Sequence, residues 1–400
     1  MPSSSNPLPH QVACPVCWGK SVIPVLHLPA VPVLCNRIWP TREAARDAPR
    51  GEMRLVQCLQ CEHLFNAAFV PDLIDYGSDY DNTLHGSARF RAYAEELAAD
   101  LLRRHNLFGK RILEIGCGKG EFLKLLCHRG NCFGVGLDPG GTPARPGFGT
   151  SDRVSFYQDS FSSKYVREGG VDLVCCRHVL EHLHRPAGLI RRIHGAVDAH
   201  AVVFFEVPNT THTLVRGAIW DVIYEHYSYF TPTSLVRLFQ STGFDVTDLR
   251  ESFAGQFLRI EARKAGPGKT GVFLPPMPCQ DSRFGATKGF SELFFQRIEK
   301  ARQIHEGLKA SGKHAVVWGA GSKGVSFLNS LPEATMIDGV IDINPAKQGG
   351  FIAGTGHRIL APETLAGLGP GIVLVMNPVY TEEIRQTTLE MGLTLELILP

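Results

Sequence analysis

The chain has 400 residues, of which 44% are hydrophobic and 20% are charged, and its formal net charge at pH 7 is +2. This length predicts two or three domains, and the nearly balanced charge argues against a surface that recruits nucleic acid or anionic lipid. We see neither an apolar run of the roughly 18 residues that a membrane helix needs nor a secretion signal at the N-terminus.

Two C-x-x-C pairs occur in the first 70 residues, which we predict to be rich in loops. Cys14 and Cys17 form one pair, and Cys58 and Cys61 form the other. Two such turns can hold zinc with four thiolates, although the pairs lie farther apart than the roughly 15–20 residues of common zinc ribbons. We predict a structural zinc site; two unrelated buried pairs or a redox pair remain the alternative.

The other cysteines favour a reducing compartment. The count of eleven is odd, and several cysteines lie inside apolar runs typical of strands. Disulfide frameworks are rare in such a setting, so we expect a cytoplasmic protein. Cys35, between the two pairs, is expected to be a packed thiol.

The next segments predict a helix and then alternating strands and helices. Phe90, Tyr93, Leu97 and Leu101 recur at helical spacing within residues 71–105. Short β-branched runs alternate with helical stretches over residues 106–265, which predicts a parallel sheet. Residues 265–278 have the composition of a linker, and a helix is expected from about Ser291 to Ser311.

A glycine-rich loop follows the first strand of the central region. The strand ends in Glu114-Ile-Gly-Cys-Gly-Lys-Gly120, the next strand ends in Asp138, and a further one ends in Asp159. Glycines at such a turn let a ligand touch the backbone, and an acid after the next strand can bind ribose hydroxyls. A dinucleotide enzyme could also carry a glycine loop, but its usual spacing is G-x-G-x-x-G.

The E-x-G-x-G-x-G loop and its two acids resemble the class I S-adenosylmethionine-dependent methyltransferases. The resemblance implies that Glu114, Gly116 and Gly118 face the methionine part of the cofactor. It also implies that Asp138 binds the ribose and that Asp159 reaches the adenine amino group. For Asp159, a helix N-cap is the structural alternative.

The segment His178-Val-Leu-Glu-His182 matches H-x-x-E-H, a signature of zinc proteases. We reject a protease because the segment follows a predicted buried strand and a third ligand is not evident. The segment also resembles the turn after the fourth strand of many methyltransferases. That resemblance implies that His178 lines the cofactor pocket and that His182 packs or caps.

Tyr224-Glu-His226 stands in the loop after the predicted fifth strand, where sheets of this type bind substrate. A histidine there could be a general base, which alkylation of carbon requires because a proton must first leave. On residue type alone, a hydrogen-bonded core histidine is the simpler alternative.

Taken together, the cysteine pairs, the central fold, the E-H pair and the C-terminal unit resemble the zinc-containing nucleotide-sugar C-methyltransferases. The resemblance implies that His226 removes the proton beside a ketone, with Glu225 and Tyr224 as partners. Tyr76 and Tyr80 lie in a segment similar to the tyrosine-bearing segment that closes over the site. Around residues 252–257 the chain reads S-F-A-G-Q-F instead of a Gly-Gly-Ser-like turn, so the acceptor could differ.

A second glycine motif opens the C-terminal unit. Gly319-Ala-Gly-Ser-Lys-Gly324 is G-x-G-x-x-G, followed by an acid at Asp342. This pattern is typical of dinucleotide binding, although only about half a full dinucleotide fold remains. The resemblance instead implies that the unit holds the nucleotide of the substrate. Our candidate contacts are Lys323, Lys347, Asn377 and Tyr380, and a purely structural cap is the alternative.

We therefore predict an α/β protein with a central Rossmann-like class I methyltransferase sheet, an N-terminal zinc-binding module and a C-terminal Rossmann-like half domain. The expected domains are 1–75 for zinc, 76–265 for S-adenosylmethionine and 266–400 for substrate. The expected function is C-methylation of a nucleotide-linked 4-keto-deoxysugar by a monomer or weak homo-oligomer, without nucleic-acid or membrane partners. The alternatives are an O- or N-methyltransferase of a natural-product small molecule and an NAD-dependent oxidoreductase.

Overall fold

A computed structural model describes residues 12–76, 80, 82–140, 153–166, 170–266, 285–331, 336–368 and 371–400. Most of the predicted linker at residues 265–278 lies outside this set. The described strands form three sheets, one in each third of the molecule. No described helix combines the length and apolar character that crossing a membrane demands.

The N-terminal third is a β-hairpin with additions, so the prediction of a loop-rich segment is wrong. Its elements are β1 (Val22–Pro32), α1 (Arg42–Arg46), β2 (Arg50–Cys58) and β3 (Leu64–Asn66). Prolines at positions 24, 29 and 32 hide the strand pattern of β1 in the sequence. They are tolerated because β1 lies at the edge of its sheet and carries two register shifts.

The central third contains the predicted alternation of helices and strands. Its elements are α2 (Ala88–Arg104), β4 (Arg111–Ile115), α3 (Glu121–Gly130), β5 (Phe133–Leu137), β6 (Val154–Tyr157), β7 (Leu173–Arg177), α4 (Pro186–Ala196), β8 (Val202–Pro208), α5 (Thr210–Arg216), β9 (Ser228–Tyr229), α6 (Pro232–Gln240), β10 (Phe244–Ser252) and β11 (Phe257–Lys264). The predicted helix over residues 71–105 is therefore confirmed in its second half.

Seven of these strands form one sheet in the order β10-β11-β8-β7-β4-β5-β6. The five strands from β8 to β6 are parallel, as predicted, and β10 and β11 add an antiparallel hairpin. Chain order runs outward from β4 in both directions, so a crevice opens beyond its carboxyl end. Open α/β sheets bind ligands at such a switch point.

The helices α2 and α3 close one face of this sheet. Leu97, Leu101, Leu123 and Leu126 share an apolar cluster with Phe204 of β8. Burying each leucine contributes about 1.5–3 kcal/mol. The packing therefore holds the glycine loop, which lies between β4 and α3, against a rigid layer.

The short strand β9 lies in the central third of the chain, but it pairs with β3 of the N-terminal sheet. Leu64 faces Tyr229 and Phe65 faces Ser228 in an antiparallel register. The pairing crosses the boundary that we expected at residue 75. It fixes the loop that carries Glu225 and His226 against the N-terminal third.

The C-terminal third is the predicted second α/β unit. Its elements are α7 (Gly285–Lys288), α8 (Phe290–Ser311), β12 (Ala315–Trp318), α9 (Ser322–Ser330), β13 (Ile337–Ile341), β14 (Ile359–Leu360), α10 (Leu365–Leu368), β15 (Ile372–Val375), α11 (Thr381–Glu390) and β16 (Glu396–Ile398). Its five strands are parallel in the order β14-β13-β12-β15-β16. The helix expected from Ser291 to Ser311 is confirmed within one residue.

Candidate active site

The glycine loop after β4 bends through three left-handed residues. Gly116, Gly118 and Gly120 have φ values of 69°, 53° and 75°. A Cβ atom on Gly116 would lie 2.2 Å from Val179, whereas one on Gly118 would meet nothing within 4 Å. The backbone at Gly118 therefore borders open space that a ligand can enter.

Two carboxylates flank this loop. Asp138 follows β5 and accepts hydrogen bonds from the backbone N–H of Gly118 at 2.8 Å and of Gly140 at 2.9 Å. Glu114 is buried, and its Oε2 atom has no hydrogen-bond partner among the described residues. Burial raises the pKa of Glu114 to about 8. The ammonium group of a ligand could donate a hydrogen bond to this unpaired oxygen, so the site fits a cofactor that contains an amino acid.

Asp159 makes local contacts. Its side chain accepts hydrogen bonds from Ser160 N at 2.7 Å, Lys164 Nζ at 2.6 Å and the Tyr165 hydroxyl at 2.6 Å. The bonds from Lys164 and Tyr165 lower the pKa of Asp159 to about 2. These bonds involve both carboxylate oxygens. Contact between Asp159 and an adenine amino group stays a prediction.

His178 stands at the end of β7 with a φ of 55°, an uncommon conformation for a residue with a side chain. Its ring centroid lies 4.5 Å from that of Phe257, and its Nε2 atom lies 3.0 Å from Glu206 Oε1. The same oxygen accepts two bonds from Arg177 at 2.9 and 3.0 Å. Although burial opposes it, Arg177 holds the pKa of Glu206 down to about 2, so an ionised carboxylate lies beside the His178 ring.

Glu225 is fully buried and fixed from three sides. Its Oε1 atom accepts hydrogen bonds from the backbone N–H groups of Cys35 and Asn36, and its Oε2 atom accepts from the Tyr80 hydroxyl at 2.6 Å. Cys35 is a packed thiol, as expected, and its backbone has this additional role. Burial raises the pKa of Glu225. The contacts make Glu225 an anchor for the loop that continues into His226.

His226 faces a second histidine that the sequence analysis assigned to packing. The ring centroids of His182 and His226 are 4.9 Å apart, and the rings are nearly perpendicular. The His182 Nδ1 atom lies 3.0 Å from the carbonyl oxygen of Glu225 and 2.9 Å from the Tyr76 hydroxyl. The ring of His226 makes no hydrogen bond to any described residue.

Both imidazoles are neutral at pH 7. Burial lowers the pKa of His182 to about 4. Burial also lowers the pKa of His226 well below its usual range, with help from His182, His178 and Lys323. A neutral imidazole with a free nitrogen is the form that can accept a proton from a substrate.

Tyr224 points toward the N-terminal third. Its hydroxyl accepts a hydrogen bond from Val70 N at 2.8 Å, and its ring stacks on Phe69 with centroids 5.3 Å apart. A side chain at Gly51 would clash with the ring at 2.3 Å. These contacts are those of a structural residue, and a catalytic role for Tyr224 stays a prediction.

The two candidate lysines of the C-terminal unit lie around its glycine motif. Lys323, in the first turn of α9, forms an ion pair with Asp221 from the central third. Lys347 is buried and donates to the carbonyl oxygen of Ala320 at 3.1 Å. After burial, His182 and His178, the charge of Lys323 also contributes to the lowered pKa of His226.

Asn377 and Tyr380 contact the turn between β10 and β11. Asn377 and Gln256 exchange two amide hydrogen bonds of 2.9 and 3.0 Å, and the Tyr380 ring lies 6.0 Å from that of Phe253. The A-G-Q-F turn thus joins the central sheet to the C-terminal unit. Direct substrate contacts of Asn377 and Tyr380 stay predictions.

The four predicted zinc ligands come together. The Sγ atoms of Cys14 and Cys61 are 3.5 Å apart, as are those of Cys17 and Cys58. All four sulfur atoms lie within 4.8 Å of one another. Four thiolates at this separation fit one tetrahedral zinc ion.

Sequence reasoning missed the roles of Asp221 and Glu181 and the placement of His182 beside His226. The H-x-x-E-H motif was visible, but the described metal-ligand group joins Glu181 and His182 to His226 instead of to His178. A protease-like pairing is therefore absent from the described residues. For Asp221 the sequence carried no signal, because its partner lies 102 positions away.

The chain is similar in sequence to known methyltransferases. Residues 86–249 match a family described as a methyltransferase domain, and residues 283–394 match the C-methyltransferase C-terminal domain. The C-methyltransferase NovU of Streptomyces niveus is 27% identical over 289 residues, which cover 69% of this chain and 68% of NovU. A ubiquinone biosynthesis O-methyltransferase of Pseudomonas aeruginosa (strain LESB58) is 33% identical over 161 residues, covering 36% of this chain and 69% of that protein.

Among solved structures, one neighbour is the 1,6-didemethyltoxoflavin-N1-methyltransferase of Burkholderia thailandensis. It is 17% identical, with a TM-score of 0.35, and the match covers 52% of this chain and 99% of that one. At this TM-score the superposition carries no argument about the site.

Proposed function

The chain belongs to the S-adenosylmethionine-dependent methyltransferases, and from that premise we propose that it methylates a carbon atom next to a ketone. The observation that carries this proposal is the free, neutral ring of His226 beside His182, whose Nδ1 atom contacts the Tyr76 hydroxyl. Oxygen and nitrogen acceptors often need only positioning, whereas carbon must first lose a proton to a base. We further propose that the acceptor is a nucleotide-linked 4-keto-deoxysugar.

The cofactor would be held at the glycine loop. S-adenosylmethionine supplies an electrophilic methyl group when it is bound. In our proposal Glu114 receives its ammonium group, the backbone of Gly116 and Gly118 borders its methionine part, and Asp138 receives its ribose. The orphaned oxygen of Glu114 supports this assignment.

The removal of a proton beside a ketone produces an enolate, which needs a hydrogen-bond donor. A carbonyl oxygen can only accept, so the His182 nitrogen that faces the Glu225 carbonyl carries the hydrogen. The Tyr76 oxygen lies beside this N–H and keeps its own proton for another acceptor. Tyr80 instead donates its proton to Glu225, so Tyr76 is the better candidate for the enolate donor.

We expect Tyr76→Phe to lower kcat by about 10²–10³-fold, the usual cost of losing one oxyanion donor. Tyr80→Phe removes a bond to Glu225 and is expected to have a smaller effect on kcat. Steady-state kinetics of both variants, with the affinity for S-adenosylhomocysteine as the control, test this difference. Equal losses in the two variants would contradict the assignment.

The acid limb of the pH profile should lie well below pH 6.5. Burial and the neighbouring groups disfavour the charged imidazolium of His226, so its pKa falls and the ring stays a competent base as the pH drops. We expect kcat/KM to remain nearly constant from pH 7.5 to 6.5. A half-maximal value of kcat/KM at or above pH 6.5, measured with saturating cofactor, would oppose this expectation.

The C-terminal unit would bind the nucleotide of the acceptor. The N-terminus of α9 follows Gly321 and has no side-chain cap, and Lys323 and Lys347 lie near it. Free N–H groups at a helix N-terminus attract phosphate oxygens. In this proposal the pyrophosphate would draw Lys323 away from Asp221.

The proposal is tested by incubating the protein with ¹³C-methyl-labelled S-adenosylmethionine and a panel of nucleotide-linked 4-keto-deoxysugars. We expect a product that is heavier by one methyl group and whose labelled carbon gives a C–CH₃ signal in NMR. An O–CH₃ or N–CH₃ signal would favour the other acceptor classes. Stabilisation against heat by NADH but not by S-adenosylhomocysteine would favour an oxidoreductase.

A further inference from the structure

Glu181, His182 and His226 form a second group of metal ligands, separate from the four cysteines. Each residue offers one ligand atom, and these atoms lie within 4.8 Å of one another. We propose that this His–His–Glu cluster binds a divalent d-block cation, and that the bound cation inhibits methyl transfer. The proposal goes beyond the proposed function, because binding can be measured without any acceptor.

Glu181 provides the first sign that the cluster is built for a ligand. The residue is only 2% exposed, yet its Oε2 atom has no hydrogen-bond partner among the described residues. Buried carboxylates normally have partners or bind metal ions.

His182 provides the second sign through its fixed tautomer. Its Nδ1 atom carries the hydrogen that points at the Glu225 carbonyl oxygen, 3.0 Å away. The Nε2 atom of this neutral ring therefore carries a lone pair and can act as a ligand. Histidines that bind metals commonly donate their other N–H to a backbone carbonyl in this way.

His226 completes the cluster from a rigid loop. Its ring lies almost perpendicular to that of His182 and makes no hydrogen bond to any described residue. The preceding residue, Glu225, is anchored by Tyr80 and by the backbone of Cys35 and Asn36. A cation would thus meet ligands that need little rearrangement.

The donor atoms select the class of cation. Two imidazoles and one carboxylate suit Zn²⁺, Co²⁺, Ni²⁺ or Fe²⁺, whereas Mg²⁺ and Ca²⁺ prefer sites made of oxygen atoms. Three protein ligands also leave coordination positions for water. The cation would occupy the lone pair with which His226 accepts a proton, which is why we expect inhibition.

The experiment uses the full chain with its cysteine site loaded with zinc, as checked by elemental analysis. Added Co²⁺ should bind as one further equivalent and give d–d absorption without thiolate-to-metal charge transfer. Glu181→Gln, which is nearly isosteric, and His182→Gln each remove one ligand. Each should weaken Co²⁺ binding by at least about 10-fold, because even the loss of a residue that only hydrogen-bonds to a ligand lowers metal affinity by that factor. His184→Ala, which changes an exposed histidine outside the cluster, should leave it unchanged.

Thermal melting of each variant shows whether weaker Co²⁺ binding results from unfolding. If His182→Gln is unstable, Co²⁺ binding by Glu181→Gln alone tests the proposed site. The proposal is overturned if no further equivalent binds, or if Glu181→Gln and His184→Ala bind Co²⁺ equally well. Zn²⁺ should inhibit methyl transfer over the concentration range in which it displaces Co²⁺. If no further equivalent of Co²⁺ binds, the proposed base role of His226 is unaffected, since that role is measured without added metal.

Discussion

Replacing His226 with alanine is expected to lower kcat for methyl transfer by about 10²–10⁴-fold, the usual contribution of a general base. The neighbouring hydrogen-bond groups are already committed: Tyr80 donates to Glu225, and His182 donates to the Glu225 carbonyl. Tyr80 cannot act as a base without losing its bond to Glu225, so the Nε2 lone pair of His182 is the basic atom left to support residual turnover. The affinity for S-adenosylhomocysteine should not change, because His226 lies outside the glycine loop that would hold it.

Exchange of the acidic C–H proton separates the base from methyl transfer itself. The wild-type protein should catalyse deuterium incorporation beside the ketone in D₂O when S-adenosylhomocysteine replaces the methyl donor. His226→Ala should lose this exchange, whereas His184→Ala should keep it. Substantial methyl transfer by His226→Ala would point to an oxygen or nitrogen acceptor and refute carbon alkylation.

The largest effect on stability is expected from loss of the cysteine site. Metal binding contributes apparent free energies of about 10–16 kcal/mol in zinc-finger peptides, so Cys58→Ser should abolish metal binding and cooperative folding of the N-terminal third. Cys58 is the last residue of β2, which also carries the pairing with β3. The loss should therefore reach the loop that contains His226, and activity should fall with metal content.

Elemental analysis and thermal melting test this expectation. Cys132→Ser is the matched control, because the Cys132 thiol lies outside the cysteine cluster and donates to the Leu107 carbonyl, which a serine hydroxyl can also do. Chelation of the wild-type protein should reproduce the behaviour of Cys58→Ser. Purified wild-type protein without bound zinc, or equal melting of the two serine variants, would refute a structural metal.

The central fold was readable from the sequence because its signals are local. The strand from Arg111 to Ile115, the glycine loop and the following helix lie within about 20 consecutive residues, and the acid at Asp138 follows the next strand. Alternation of β-branched runs with helices is enough to predict parallel strands. The cluster of four cysteines was equally readable, since each C-x-x-C turn carries its own spacing.

Distant contacts were not readable in the same way. Glu225 is bound by the backbone of Cys35, 190 positions earlier, and Asn377 is bound by Gln256, 121 positions earlier. A residue's type limits which bonds it can form, but tertiary packing decides which partner it meets. His182 illustrates this point: its motif was seen, yet only the fold brings it to His226.

The β1 strand was missed for a different reason. Prolines interrupt its apolar pattern, and a proline normally argues against a strand. The edge position and the two register shifts remove that conflict, but both are properties of the assembled sheet. The proline residues locally disfavour a strand at β1, but the pairing in the assembled sheet determines the structure there.

The antiparallel ladder between β3 and β9 limits how freely this protein can be recombined with its relatives. The N-terminal third cannot be exchanged as a cassette that ends at residue 75, because Ser228 and Tyr229 supply its outer strand. A chimera would have to carry that strand from the same parent, together with the side chain of His63, which lies 3.2 Å from the Ser228 hydroxyl. Inheritance of the two segments is thus expected to be linked, even though more than 150 positions separate them.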